Sequence, residues 1–401
     1  MRLPTKPLRV ALFTDTYAPQ VNGVARTLWR LVNHLEDSGH EVFLVTPRVA
    51  DVAGAPPSVG SGSARVYHRT RPGLPLPPYP ELQITGGMGP RIRSELEAFC
   101  PDVVHCATES MLGWSGRRWA LDAGVPFLTS FHTNFPTYAA SYGLGFAEPS
   151  IWALLRRFHR PARQTLCPSQ GTMALLGQKG FHPRLALWSR GVDALQFHPA
   201  RRTASMRQRL GPEADLILLY VGRLAPEKRL ELLLDAYPSV RDDAAQRSVR
   251  VGLALVGSGP MQAELERRAI PGVVLTGPLS GQPLAEAYAS GDVFAFPSDT
   301  ETFGNVVLEA MASGLPVVGV DGGGVRELID PDVNGVRTPP GQVAPYAAAL
   351  SALVHDSERR HRLGAGARVS AERRSWNEIL DGVIAHYARA ASPNAPLEAY
   401  A

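Results

Sequence analysis

Glu301 and Glu309 bracket the run Glu301-Thr-Phe-Gly-Asn-Val-Val-Leu-Glu309, which follows a short apolar segment (293–296) and a polar turn (297–300). The first carboxylate is expected in a loop at the carboxyl end of a strand. The second is expected about two turns into the helix that continues through Ala310-Met311-Ala312, on nearly the same face at 3.6 residues per turn. Between them Phe303, Gly304 and Asn305 open the helix, and the free backbone N–H groups of a helix start attract an anion. Two acceptors for hydroxyl groups beside a cradle for phosphate suit a sugar attached to a diphosphate. A solvated helix face gives the same spacing of acids, so the surrounding residues must decide.

Gly222-Arg-Leu-Ala-Pro-Glu-Lys228 supplies cations in a chain that has only three lysines, Lys6, Lys179 and Lys228, among many arginines. A compact ammonium at Lys228 beside the Arg223 fork would neutralise charge developing on a leaving diphosphate. The bland alternative is a loop ion pair of Lys228 with Glu227 or Glu231. Asn22-Gly23 ends the loop that begins at Thr14, and Gly23 lets backbone approach a phosphate at a helix start. The alternative there is a plain helix cap. The dinucleotide fingerprint Gly-x-Gly-x-x-Gly is absent, which argues against NAD. His132 stands just past an apolar segment ending at Ser130, where open α/β sheets place ligands. As a neutral imidazole it would hydrogen-bond a sugar hydroxyl. Gly257 and Gly259 follow another apolar segment and admit a nucleotide or an ordinary tight turn equally well. The same holds for Thr276-Gly-Pro-Leu279 and for Asp321-Gly-Gly-Gly324.

These loops need strands and helices to carry them. Leu8–Phe13, Glu41–Val45, Ala64–His68, Asp102–Cys106, Pro126–Ser130 and Gln164–Cys167 read as strands alternating with helical patterns such as Val24–Leu35. A second series runs through Leu216–Val221, Val251–Val256, Val273–Thr276, Val293–Phe296 and Val317–Val320. Such alternation makes doubly wound parallel sheets. Residues 51–63 read as a mobile Gly/Ala/Ser/Pro loop and residues 71–80 as a stiff, proline-rich extended stretch. The last ten or so residues read as frayed.

The 401 residues suffice for two substantial cores. Cys100, Cys106 and Cys167 have no metal-ligand spacing and read as buried reduced thiols in a cytosolic protein. No apolar run of membrane-spanning length and no signal peptide is evident. The formal charge of +4 conceals a basic first half and a slightly acidic second half. The stripe Arg156-Arg157-Phe158-His159-Arg160-Pro-Ala-Arg163 follows the apolar 151–155. It suits an anionic membrane surface or, equally, a solvated helix face.

Glu301-x7-Glu309, the Arg223-x4-Lys228 loop, Gly191-Val-Asp with Phe197-His-Pro199, and Phe131-His-Thr-Asn134 occur in the order found in glycosyltransferase family 4. The chain resembles that family over nearly its whole length. The run 131–143 and Pro19-Gln-Val-Asn-Gly23 resemble the glycolipid α-mannosyltransferase and sulfoquinovosyltransferase branch. Asn22 departs from the Gly-Gly common at its position. The resemblance implies a GT-B fold, α/β, with two Rossmann-like doubly wound parallel-sheet domains facing a cleft. It implies an acceptor-side domain over 1–195, a nucleotide-sugar domain over 196–373, and a helix in 374–401 crossing back. It further implies a retaining, metal-independent hexosyltransferase; no cofactor or nucleic-acid partner is expected, and the thiols and the basic stripe suggest a cytoplasmic protein, peripheral at the inner membrane surface.

By resemblance, His132, Arg223, Lys228 and Glu301 would be catalytic. Asn22, Gly23, Gly257, Gly259, Phe303, Gly304, Asn305 and Glu309 would bind the donor. Glu301 would hold sugar hydroxyls and Glu309 the ribose, with Glu301 as covalent nucleophile the less favoured mechanism. The donor leans to GDP-mannose and the acceptor to a lipid or glycolipid. UDP-glucose, UDP-galactose and UDP-sulfoquinovose remain open, as does a sugar-nucleotide epimerase.

Overall fold

A computed structural model of the chain describes residues 6–20, 22–49, 65–76, 79–141 and 143–392. The expected mobile loop 51–63 and frayed C-terminal end lie outside the described residues. In chain order the strands are β1 (Arg9–Phe13), β2 (Glu41–Pro47), β3 (Val66–Arg71), β4 (Gly73–Leu76), β5 (Tyr79–Thr85), β6 (Val103–Cys106), β7 (Phe127–Ser130), β8 (Gln164–Cys167) and β9 (Leu185–Leu187). There follow β10 (Leu216–Val221), β11 (Val251–Val256), β12 (Val273–Gly277), β13 (Val293–Phe296), β14 (Val317–Val320) and β15 (Gly335–Thr338). The helices are α1 (Gly23–Asp37), α2 (Gly89–Phe99), α3 (Met111–Ala123), α4 (Phe135–Ser141), α5 (Glu148–His159), α6 (Gln170–Gln178) and α7 (Ala204–Leu210). Beyond them lie α8 (Leu230–Ala245), α9 (Gln262–Arg268), α10 (Gly281–Ser290), α11 (Asn305–Ala312), α12 (Val343–His355), α13 (Ser357–Glu372) and α14 (Trp376–Ala391).

The chain divides into two compact units. The first comprises 1–133, 147–189 and 377–401; the second comprises 134–146 and 190–376. The run 131–143 is therefore split between them. The first unit is built on a seven-stranded sheet in the order β3-β2-β1-β6-β7-β8-β9, parallel throughout. The second has a six-stranded parallel sheet, β12-β11-β10-β13-β14-β15. Each is a Rossmann-like, doubly wound sheet, as expected for a GT-B fold. The central strands, such as Leu216-Ile-Leu-Leu-Tyr-Val221, are near-continuous apolar runs because both faces of a parallel sheet lie under helices.

In each sheet the chain order reverses beside the first strand, between β1 and β6 and between β10 and β13. Loops leaving the carboxyl ends of two such strands diverge and leave a crevice, the usual place for a ligand. Three sequence expectations change. Residues 73–85 are not simply extended but form an antiparallel hairpin of β4 and β5. Cys100 is exposed, unlike Cys106 and Cys167, because it caps α2 at φ 48°. β15 was not foreseen.

α14 is held on the first unit by polar contacts. His34 Nε2 lies 2.7 Å from Asp381 Oδ1, and His105 Nδ1 lies 2.6 Å from the Tyr387 hydroxyl. Among the described residues, no helix is long and apolar enough to cross a membrane.

Asp15, at the carboxyl end of β1, is buried. Its carboxylate accepts hydrogen bonds from the Thr85 and Thr108 hydroxyls at 3.2 and 3.3 Å. Desolvation outweighs these bonds and raises its pKa from 3.8 to about 7. A folded pKa above the unfolded one means stability present at low pH and lost as pH rises toward 7. Asp15→Asn is therefore expected to stabilise the protein at pH 8 by up to ~4 kcal/mol. The gain should shrink to about zero near pH 4. Urea denaturation at both pH values checks this, and an equal effect at both would contradict the assignment.

Candidate functional site

The second unit gathers most of its own candidate residues on two adjacent loops. One follows β10 and carries Arg223 and Lys228; the other follows β13 and carries Glu301 through Asn305. Lys228 Nζ lies 2.5 Å from Glu301 Oε1, with their side chains 13% and 16% exposed. So little exposure means that solvent screens the pair weakly. Ser298 Oγ donates to the same Glu301 oxygen at 3.1 Å. Two further contacts tie the loops together. The Thr300 hydroxyl donates to the Glu227 carbonyl at 2.9 Å, and Arg229 Nε lies 3.4 Å from Asp299 Oδ1. Lys228 thus has the distant Glu301 as a partner; Glu231 pairs with Arg268.

The helix after the second loop begins later than the sequence implies. α11 starts at Asn305, and Gly304 caps it at φ 106° and ψ 57°, a backbone region that favours glycine. Glu301 precedes the helix by four residues, and Glu309 is the fifth residue within it. Helical periodicity therefore does not relate the two carboxylates. Their placement comes from loop packing on one side and the helix on the other. Phe303 is buried, with the Arg374 guanidinium 5.9 Å from its ring centre. The Asn305 side-chain oxygen is buried and has no hydrogen-bond partner among the described residues. A buried polar atom of this kind favours a ligand donor.

Glu309 is oriented by a residue that the sequence reading missed. The Tyr288 hydroxyl, on α10, donates to Glu309 Oε2 at 2.9 Å. Its ring is fully buried and packs edge-on to Phe197 at 5.5 Å. In the sequence Tyr288 looks like any core aromatic at helical spacing.

The glycines of this unit have a packing reason. A Cβ on Gly257 would stand 1.9 Å from the Gly222 carbonyl oxygen, and one on Gly259 would stand 2.3 Å from that of Leu224. Both glycines therefore let their loop lie directly on the Arg223 loop. Likewise Gly324 N–H donates to the Glu301 carbonyl at 2.7 Å, and its Cβ would meet Phe303 Cα at 2.4 Å. The Gly322–Gly324 turn is the bed on which the Glu301 loop rests. α4 packs against the turn that carries Lys228.

In the first unit, Asn22 is extended at φ −147°, so the positive φ that its type allows is not used. Its side-chain oxygen instead accepts from Ala25 N at 2.8 Å and caps α1, with Gly23 as the first helical residue. His132 is buried beyond β7 and meets the Trp188 ring edge-on at 5.3 Å. Asn22, Gly23 and His132 all follow carboxyl ends of first-unit strands.

Two family models match the chain: one described as Glycosyltransferase Family 4 over residues 21–195, the other as Glycosyl transferases group 1 over residues 215–356. The chain is 38% identical over 381 residues to a GDP-mannose-dependent alpha-mannosyltransferase of Mycolicibacterium smegmatis, covering 95% of this chain and 97% of that one. It is 35% identical to the sulfoquinovosyl transferase SQD2 of Arabidopsis thaliana, covering 93% of this chain and 72% of that one. The solved sucrose-phosphate synthase of Thermosynechococcus elongatus shares the fold at a TM-score of 0.76 and 23% identity, covering 96% of this chain and all of that one. With two doubly wound parallel sheets and relatives this similar along almost their full length, the chain belongs to glycosyltransferase family 4 and is a nucleotide-sugar-dependent hexosyltransferase of GT-B fold.

Proposed function

We propose that this enzyme transfers mannose from GDP-mannose to a lipid-linked or glycolipid acceptor with retention at the anomeric carbon. The observation that carries the reading is the meeting of Lys228 with Glu301 across the crevice between β10 and β13. The similarity to a GDP-mannose-dependent enzyme over 95% of the chain supports the choice of donor. In this reading Arg223 and Lys228 grip the diphosphate, with the backbone of Phe303, Gly304 and Asn305 completing the cradle. Glu301 takes donor-sugar hydroxyls and Glu309 the ribose hydroxyls. Gly257 and Gly259 act by seating the Arg223 loop under the nucleotide. Asn22 and Gly23 close over the phosphates, and His132 meets the sugar.

The carbon–oxygen bond to the diphosphate breaks as the acceptor oxygen attacks from the same face. The acceptor's proton passes to a diphosphate oxygen. Negative charge grows on the leaving group, so the cations are worth most in the transition state. Lys228 then exchanges Glu301 for phosphate oxygen, freeing the carboxylate for hydroxyls. The domain reading places the donor site in residues 196–373 and the acceptor side in 1–195. We further infer peripheral contact with an anionic membrane, since the basic first half carries Arg156, Arg157 and Arg160 along and just beyond α5.

SQD2 similarity of 35% favours a second reading, sulfoquinovosyl transfer. A thermal-shift panel of GDP-mannose, UDP-glucose, UDP-galactose and UDP-sulfoquinovose separates the two, because a ligand of the native state raises the melting temperature. GDP-mannose is expected to give the largest shift; a larger one with UDP-sulfoquinovose would replace the first reading by the second. Lys228→Ala is expected to lower kcat about 100-fold while donor KM changes less than about fivefold. Steady-state kinetics check it, and unchanged kcat with weakened binding would contradict the transition-state role. Tyr288→Phe keeps the ring and removes one hydrogen bond to a carboxylate. Donor KM is expected to rise about five- to tenfold with kcat nearly unchanged. A fall in melting temperature without a change in KM would make that hydroxyl merely structural.

A further inference from the structure

A cavity of about 870 Å³ opens on the first unit between α3, α5 and the loop after α6. Arg117, Arg156, Arg157 and Arg160 line it, with Phe181 and His182 at its wall, and no carboxylate lines it. Two of the guanidinium groups are held in place. Arg117 donates to the carbonyls of Phe158 and Arg157 at 3.0 and 3.2 Å and lies 4.8 Å from the Trp114 ring centre. Arg156 donates to the Lys179 carbonyl at 3.0 Å. Each retains N–H groups beyond those used, because a guanidinium carries five. Arg157 and Arg160 are exposed, and no ion pair joins any of the four to an acid among the described residues.

Four like charges around one opening repel one another. Burial lowers the pKa of Arg117, and the nearby charge of Arg157 lowers it further. A protein gains nothing in stability from such an arrangement, whereas a bound anion converts the repulsion into attraction. Fixed planar donors around a recess match the tetrahedral oxygens of a phosphate.

The wall is also anchored inward. Arg184 N–H donates to His182 Nδ1 at 3.1 Å, so His182 Nε2 carries the proton and donates to the Thr165 hydroxyl at 3.0 Å. Thr165 then donates to Thr129 at 2.9 Å and Thr129 to His159 Nδ1 at 2.8 Å. His159 Nε2 donates to Glu109 at 3.2 Å. Every member of this chain is satisfied in one direction, which makes the cavity wall rigid.

We propose that this cavity is a binding site for one phosphate group, carried either by a soluble phosphate monoester or by an anionic lipid headgroup. It deepens the reading of peripheral membrane contact by replacing diffuse attraction with a discrete, saturable site. The test titrates the full chain and its Arg157→Gln/Arg160→Gln variant by calorimetry with glycerol 3-phosphate. Both are also sedimented with phosphatidylcholine vesicles containing or lacking phosphatidylglycerol, at low salt and at 0.3 M salt, where surface attraction is largely screened. Both substituted side chains are solvent-exposed, and circular dichroism verifies the fold.

Saturable glycerol 3-phosphate binding that weakens at least tenfold in the variant supports the site with a soluble ligand. Salt-resistant binding to phosphatidylglycerol vesicles alone, lost in the variant, supports it with a lipid headgroup. Equal binding by variant and parent, or no binding of either probe, overturns the proposal. Vesicle binding that vanishes at 0.3 M salt and ignores the substitutions overturns the site while leaving diffuse membrane contact standing.

Discussion

The ion pair between Lys228 and Glu301 depends on a topological fact. Residues 73 positions apart meet because β10 and β13 are neighbours, while the chain between them leaves to form the other half of the sheet. Side by side and parallel, the two strands deliver their following loops to one edge. Most of the second unit's candidate chemistry stands on those loops or on the helix after the second. The apolar strands beneath have little freedom, since Leu218–Tyr220 and Val293–Phe296 are almost fully buried. A substitution that shifted either strand would separate cation from carboxylate without touching either.

Glycines then set the loop height. Gly257 and Gly259 bring their own backbone onto the Arg223 loop, and Gly323 and Gly324 bring theirs onto the Glu301 loop. Gly323, at φ 54°, would place a Cβ 2.5 Å from the Glu301 carbonyl oxygen. The glycine-rich turns are thus a second tier beneath the loops that bear charge. Read as sequence, a glycine after a strand suggests an opening for a ligand. Here the place that a Cβ would take is filled by neighbouring peptide groups, which fixes the height of the loops that they support.

What was legible in the sequence follows from this division. Continuous apolar runs identified nearly every strand of both parallel sheets, because burial on both faces leaves little choice of residue. The order of motifs located the Lys228 and Glu301 loops. Register within the loops was not legible. The helix was read as opening at Phe303, whereas Gly304 takes a left-handed conformation and α11 waits for Asn305. The hairpin of β4 and β5 was hidden by its prolines, which lack the N–H that a ladder uses. Tyr288 was invisible because a hydrogen-bonding core tyrosine and a packing one have the same sequence signature. The split of 131–143 between two units is a long-range matter that local pattern does not encode.

Apart from the buried His159–Glu109 contact of the first unit, buried polarity takes a different form in each unit. In the first, burial pushes His68 to about 4, His105 to about 3, His182 to about 4 and His386 to about 4, and raises Asp15 to about 7. These groups are driven toward their neutral forms, and hydrogen bonds to hydroxyl groups such as Ser130, Thr46 and Thr165 serve them without net charge. In the second, Lys228 and Glu301 stand in direct contact at an edge where strands end. An ion pair at a sheet edge exchanges partners at lower desolvation cost than one in a core. Neutral networks make a stiff support, and paired charges make a responsive one. That is the distribution required if charge is to develop and be met beside the β10 and β13 loops.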